Sequence, residues 1–215
     1  MTRSTAAHAA TDALPVIGAE RFDDGGPTSA GSPPISNALL AVVLFMSAEV
    51  MLFTGLISAL VLFRTSSVIW PPPDQPMLPL GVTFANTAVL LASAFTMWRA
   101  YRAARRNELS TLRSALILTG ILGSLFVVVQ GYEWLALIRH GLTLGSSTYG
   151  ATFYTLIGLH AAHVVGAALW VLWVLTGAWQ GRYSRSNHVG VQVCTVYWTF
   201  VVALWLVLFP MVYLA

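Results

Sequence analysis

The chain has 215 residues, of which 57% are hydrophobic and only 9% charged, against about 25% charged in an ordinary soluble domain, and this excludes a water-soluble globule. At roughly 20 apolar residues per bilayer crossing, the length accommodates several transmembrane helices and little extramembrane mass. All 11 basic side chains are arginine and the net charge is +3, an excess that in so apolar a chain marks membrane topology and not nucleic-acid binding. The single cysteine, Cys194, excludes an intrachain disulfide, a cysteine-ligated iron–sulfur cluster and a tetracysteine zinc site.

Residues 1–34 are rich in Ala, Thr, Ser, Gly and Pro, with scattered charge at Arg21, Asp23 and Asp24, and have no apolar period with which to offset their ordering entropy. They read as a disordered cytoplasmic tail. The stretch lacks the basic start and short apolar core of a cleavable signal peptide, so the first hydrophobic segment is expected to act as an uncleaved insertion signal. Residues 35–215 read as one transmembrane domain of five apolar segments, about Ser36 to Phe63, Leu80 to Tyr101, Arg113 to Ile138, Ala151 to Trp179 and Val191 to Leu214. Between them lie Trp70-Pro-Pro-Pro-Asp-Gln-Pro76, the polar pair Asn107 and Ser110, and two polar loops, Gly141 to Gly150 and Gly181 to Gly190, all of which break helices. The expected fold is an all-α bundle of five transmembrane helices.

Arginine placement sets the expected orientation. The tail and the second-to-third and fourth-to-fifth connections hold Arg3, Arg21, Arg99, Arg102, Arg105, Arg106, Arg113, Arg182 and Arg185, whereas the opposite side has Arg64 and Arg139. This bias places the N-terminus in the cytoplasm and the C-terminus outside.

Ionisable groups at membrane depth are costly unless paired, so their positions point to function. Glu49 lies midway along the first segment with no adjacent cation. It is either a proton-responsive or lipid-facing site, or a satisfied interhelical hydrogen bond. Glu133 and Gln130, in Gln130-Gly-Tyr-Glu133, lie nearer a helix end and read as interhelical or lipid hydrogen-bonding groups. His160 and His163 are three residues apart and so share one face of the fourth helix. They lack the further ligands that a closed metal site or a haem needs, which leaves hydrogen bonding to another helix, a carboxylate or a lipid headgroup. Gly158 and Gly166, with Ala161, Ala162 and Ala167, are candidates for close helix packing. Tyr197, Trp170, Trp173, Trp179, Trp198 and Trp205 read as interface anchors or lipid-facing bulk. No catalytic or metal-ligating residue is expected.

Five strings, in order, resemble subunit III of the haem–copper cytochrome c oxidases. They are Ser47-Ala-Glu-Val-Met-Leu-Phe53, similar to a glutamate-centred Ser-Glu-Val-Met-Phe-Phe motif; Trp70-Pro-Pro-Pro73 with Leu78-Pro-Leu80 and Asn86-Thr87; Leu122-Gly123 through Gln130-Gly-Tyr-Glu133; Gly150-Ala-Thr-Phe-Tyr154 running into Gly158-Leu-His-Ala-Ala-His163; and Tyr197-Trp-Thr-Phe-Val-Val-Ala-Leu-Trp205. The likeness covers all five helices and is to the short bacterial form, which lacks the first two helices of the long members.

The resemblance implies an accessory subunit that binds no cofactor itself and packs against subunit I. Haem and copper would reside in partner subunits, with subunit II and further respiratory-complex subunits nearby, in the bacterial cytoplasmic (inner) membrane. It further implies support for proton uptake, phospholipid binding and complex stability during aerobic electron transport. By the same resemblance, Glu49 matches the family's buried, carbodiimide-reactive glutamate, His160 and His163 match its His-x-x-His pair, and Glu133 matches a carboxylate in the preceding helix. The family's Tyr-Trp-His-Phe-Val-Asp becomes Tyr197-Trp-Thr-Phe-Val-Val202, and its upstream glutamate becomes Gln192. A related accessory subunit of a nitric oxide reductase has the same five-helix pattern and is the alternative.

Overall fold

The computed structural model describes residues 36–70, 72 and 80–214. The N-terminal tail, and all of the Pro-rich connection except Trp70 and Pro72, lie outside these residues. Five long helices run in chain order: α1 (Asn37–Ser66), α2 (Leu80–Arg106), α3 (Leu109–Arg139), α4 (Thr148–Trp179) and α5 (Val189–Phe209). A short π-helical turn, Pro210–Leu214, continues α5. All five are long and apolar enough to cross a membrane, and among the described residues there is no strand.

Helices α2 and α3 are longer than their apolar segments. Hydrophobicity marks the part that lies in hydrocarbon, whereas arginine is a good helix former and lets α2 continue to Arg106 and α3 begin at Leu109. The ends have local causes. Ser36 and Ser147 accept hydrogen bonds from the backbone N–H of Leu39 and Gly150, which caps α1 and α4. Asn107 after α2, Gly141 after α3 and Gly181 after α4 take positive φ. At each of these ends the following N–H reaches back to a carbonyl in the last turn, as in Glu108 to Ala103 (3.0 Å), Leu142 to Leu137 (3.1 Å) and Arg182 to Gly177 (3.0 Å).

Helices α2, α3, α4 and α5 form a closed ring of contacts, and α1 lies outside it against α4 and α5. Burial follows this order: 61% of the α5 span is buried inside the molecule, but only 6% of α1. The sole fully buried α1 side chains are Phe53 and Leu60. Its hydroxyls turn back on its own carbonyls, as in Thr54 to Val50 and Ser58 to Thr54, which satisfies them without a neighbour or water.

The ring is pinned by polar contacts in an otherwise apolar core. Trp198 Nε1 donates to Ser93 Oγ at 3.1 Å and Trp205 Nε1 to Thr87 Oγ1 at 2.9 Å, joining α5 to α2. Thr96 and Thr119 share a 2.8 Å hydroxyl contact between α2 and α3, and Asn86 Nδ2 donates to the Phe126 carbonyl at 3.0 Å. This corrects the sequence expectation for three aromatics, since Tyr197 is buried along with Trp198 and Trp205. Trp198 and Trp205 are neither interface anchors nor lipid-facing bulk but buried core residues, because serine and threonine on α2 give their indole N–H groups a partner away from water. Trp173 and Trp179 are exposed, as a lipid-facing or interfacial position requires.

Within the chain, the glycine packed most tightly against another helix is Gly123. A Cβ added at Gly158 or Gly166 meets nothing within 4 Å, whereas at Gly123 it would lie 2.5 Å from the Trp198 ring. The indole cannot retreat without losing Ser93. Gly123→Ala is therefore expected to lower thermal stability by about 1–3 kcal/mol, read as loss of near-UV circular dichroism on heating in mild detergent, while Gly120→Ala, which faces open space, leaves the transition unmoved.

Candidate functional site

Glu49 and His163 lie near the middles of α1 and α4, and the packing of these helices brings the two side chains together. His163 Nε2 is 2.8 Å from Glu49 Oε2, with 13% of each side chain exposed. The other ring nitrogen, Nδ1, lies 2.7 Å from the Leu159 carbonyl oxygen, which can only accept, so the proton is assigned to Nδ1. Two forms of the pair remain: imidazolium with carboxylate, or neutral imidazole accepting from a carboxylic acid. Both hold one shared proton and no net charge, the condition that makes a titratable pair tolerable in hydrocarbon. The approach has ion-pair distance without hydrogen-bond direction, because Glu49 Oε2 has no aligned donor. Phe53, one turn beyond Glu49, stands edge-on to the His163 ring at 5.4 Å and closes the contact on one side.

His160 does not join this contact. Spacing of three residues offsets two side chains by about 60° around a helix, which is enough here to turn them toward different neighbours. His160 is 1% exposed and stacks on Trp205 of α5 at 5.3 Å, and neither ring nitrogen has a hydrogen-bond partner. The expected hydrogen bond from His160 is thus absent among the described residues, and stacking takes its place. Gln130 does link helices, donating from Nε2 to the Tyr213 hydroxyl at 2.9 Å. Glu133 is half-buried and has no hydrogen-bond or ion-pair partner among the described residues. Gln130, Trp134, His160 and Trp205 border a cavity of about 220 Å³ between α3, α4 and α5.

Among the described residues no three His, Cys, Asp or Glu side chains converge. The chemistry available to Glu49 and His163 is therefore proton holding and charge compensation. Trp70, the described part of the Trp-Pro-Pro-Pro string with Pro72, packs edge-on against Tyr149 at the start of α4 at 5.2 Å.

Residues 33–215 match the family model of cytochrome c oxidase subunit III. The chain belongs to the cytochrome c oxidase subunit III family. It is similar to the cytochrome c oxidase subunit 3 of Synechocystis sp., 37% identical over 177 residues, covering 82% of this chain and 75% of that one. It is 33% identical over 175 residues to the probable cytochrome c oxidase subunit 3 of Mycobacterium leprae, covering 81% and 86% of the two chains. The subunit 3 of Pelomedusa subrufa is 33% identical over 193 residues, covering 85% of this chain and 71% of its own. A subunit III chain is part of an oxidoreductase complex.

Within this subunit III chain, the two substitutions in the last motif have different surroundings. Val202 is buried in the core and Thr199 lies on an exposed face. A carboxylate at position 202 would need a buried partner, and valine removes that need.

Sequence reasoning missed the indole pins. The available signal was on α2, where Thr83, Asn86, Thr87, Ser93 and Thr96 recur at helical spacing within an apolar segment and are all buried. If the Glu49–His163 contact carries energy, Glu49→Leu and His163→Leu should each lower the midpoint of thermal unfolding. Their effects should be non-additive by about 0.5–3 kcal/mol in a double-mutant cycle. Strict additivity would show that the proximity contributes nothing.

Proposed function

We propose that this chain is the accessory subunit III of a respiratory cytochrome c oxidase, supporting a catalytic neighbour without binding a cofactor. The observation that carries the reading is the Glu49–His163 contact, a proton-holding pair near mid-helix with one oxygen at 2.8 Å from a ring nitrogen. The donor set suits neither haem nor copper, because His160 and His163 turn to different helices and, among the described residues, no third ligand approaches. In this reading haem and copper belong to partner subunits, subunit I is the direct neighbour, and subunit II and possible further respiratory-complex subunits complete the assembly.

Three properties fit that role. Helix α1 leaves most of its side chains exposed, and Gly158 and Gly166 have open space where a neighbouring subunit or a lipid chain can approach closely. Glu49 and His163 exchange one proton without creating net charge, which suits a group that helps proton uptake in an adjacent subunit. The exposed apolar faces and the half-buried Glu133 supply lipid contact and lipid-headgroup or interhelical hydrogen bonding. Seven of the nine described arginines lie at one end of the bundle, Arg99, Arg102, Arg105, Arg106, Arg113, Arg182 and Arg185. By the positive-inside rule that end is cytoplasmic, in a bacterial inner membrane.

Affinity purification in mild detergent, followed by mass spectrometry and a reduced-minus-oxidised spectrum, is expected to recover a haem- and copper-containing oxidase with this chain. Recovery with haem b and non-haem iron would move the chain to a nitric oxide reductase. In the recovered complex, Glu49→Gln should leave assembly intact while altering proton uptake or turnover-dependent inactivation. Unchanged activity across pH and over many turnovers would reduce Glu49 to a structural role.

A further inference from the structure

The two flanks of the Glu49–His163 pair are covered differently. Phe53, one turn after Glu49, covers the flank away from the arginine-rich end. The opposite flank is covered from α5 by Tyr197. Its ring lies 6.0 Å from that of Phe45, one turn before Glu49 on α1, and 5.5 Å from that of Trp170, two turns after His163 on α4. Residues four or seven positions apart share a helix face, so Phe45 and Trp170 stand on the faces of α1 and α4 that carry the pair. One tyrosine thereby bridges both helices beside the contact, and it is 7% exposed.

Tyr197 also has the fitting chemistry. Helix α1 lies against α4 and α5. From α4 the group that meets Glu49 is His163, whereas His160 turns away to Trp205. Helix α5 carries no Asp, Glu, Lys, Arg or His between Val189 and Phe209, which leaves Cys194 and Tyr197 as its titratable side chains. Cys194 interacts with Tyr183 of the α4–α5 loop. Tyr197 interacts electrostatically with the Glu49 carboxylate. Its phenol O–H is a donor that makes no hydrogen bond among the described residues, and Glu49 Oε2 is an acceptor without an aligned donor. An unused donor thus stands beside an under-used acceptor where no water competes.

We infer that Tyr197 is a positioning residue for the pair: its O–H dipole favours the carboxylate on Glu49 and so holds the shared proton on His163. The two forms of the pair, imidazolium with carboxylate and neutral imidazole with carboxylic acid, differ only in where one proton sits between His163 Nε2 and Glu49 Oε2. A donor beside the carboxylate stabilises the first form and not the second. Phe53, on the other flank, has no polar group with which to oppose this bias. The position of the proton is then set from α5, by a residue that belongs to neither partner. The inference rests on the proton-holding role proposed for Glu49 and names the residue that tunes it.

The test is infrared difference spectroscopy of the purified complex at neutral pH, following the C=O stretch of the protonated Glu49 carboxyl, a band identified by its loss in Glu49→Gln. Tyr197→Phe keeps the ring between Phe45 and Trp170 and removes only the hydroxyl. It should enlarge the protonated-carboxyl band by roughly threefold or more. Tyr154→Phe, whose hydroxyl donates to the Leu142 carbonyl instead, should leave the band unchanged. A second reading needs no substitution at position 197: nitrogen-labelled histidine in the wild-type complex should show His163 as imidazolium, the signal being assigned by its loss in His163→Gln. A band that Tyr197→Phe leaves unchanged, an equal change in Tyr154→Phe, or a neutral His163 in wild type would overturn the assignment. Turnover and proton uptake unaffected by Glu49→Gln, with the Tyr197 effect present, would instead count against the proposed function.

Discussion

Hydrocarbon offers no hydrogen-bond partner, and the architecture follows from that single constraint. Most polar side chains on these helices find an acceptor or donor inside the chain, turn back on their own helix or reach the interface, and His160, buried with neither ring nitrogen hydrogen-bonded, is an exception. The hydroxyls of α1 turn back on i−4 carbonyls. On α2, Ser93 turns back on the i−3 carbonyl and Thr87 on the i−4 carbonyl, and the two also accept from Trp198 and Trp205. Small polar groups on α2 thereby permit large aromatic ones on α5, and α5 becomes the centre of the bundle.

Helix α1 shows the other consequence. It has two fully buried side chains, and no side-chain hydrogen bond reaches it from another described helix. Its one polar thread to the bundle is Glu49 with His163, backed by Phe53. In the proposed role, a contact that seats a helix and also carries a proton couples two properties: the charge distribution of the pair and the seating of α1. Since α1 presents its remaining surface outward, that coupling would be felt by whatever packs there. This is the physical basis for the supporting role proposed for the subunit.

The two ends of the bundle divide the electrostatic work. Charge inside the span is reduced to one neutral pair, with Glu133 half-buried nearer a helix end, while the uncompensated positive charge is collected at the end formed by the α2–α3 and α4–α5 connections. Fold class and the five spans were legible in the sequence because apolar runs and their Pro, Gly and Asn breaks are local signals. Glu49 and His163 were legible as isolated polar groups, but their meeting was not, since it depends on the rotation of α1 against α4. His160 illustrates the limit: the same spacing that suggested one shared face placed it against Trp205 with both nitrogens unpartnered. Gly158 and Gly166 had the composition of a packing seam, and within the chain the close approach occurs at Gly123, where the size of a residue 75 positions away decides the matter.

The anchoring role of Glu49 with His163 is most directly measured as the distance between spin labels at Thr65 on α1 and Thr155 on α4 in the assembled complex, the native Cys194 being buried. Wild type should give one narrow distance distribution, Glu49→Leu and His163→Leu should each broaden it, and the double variant should broaden it no further. A distribution that stays narrow and unmoved in both single variants would contradict the claim that this pair seats α1.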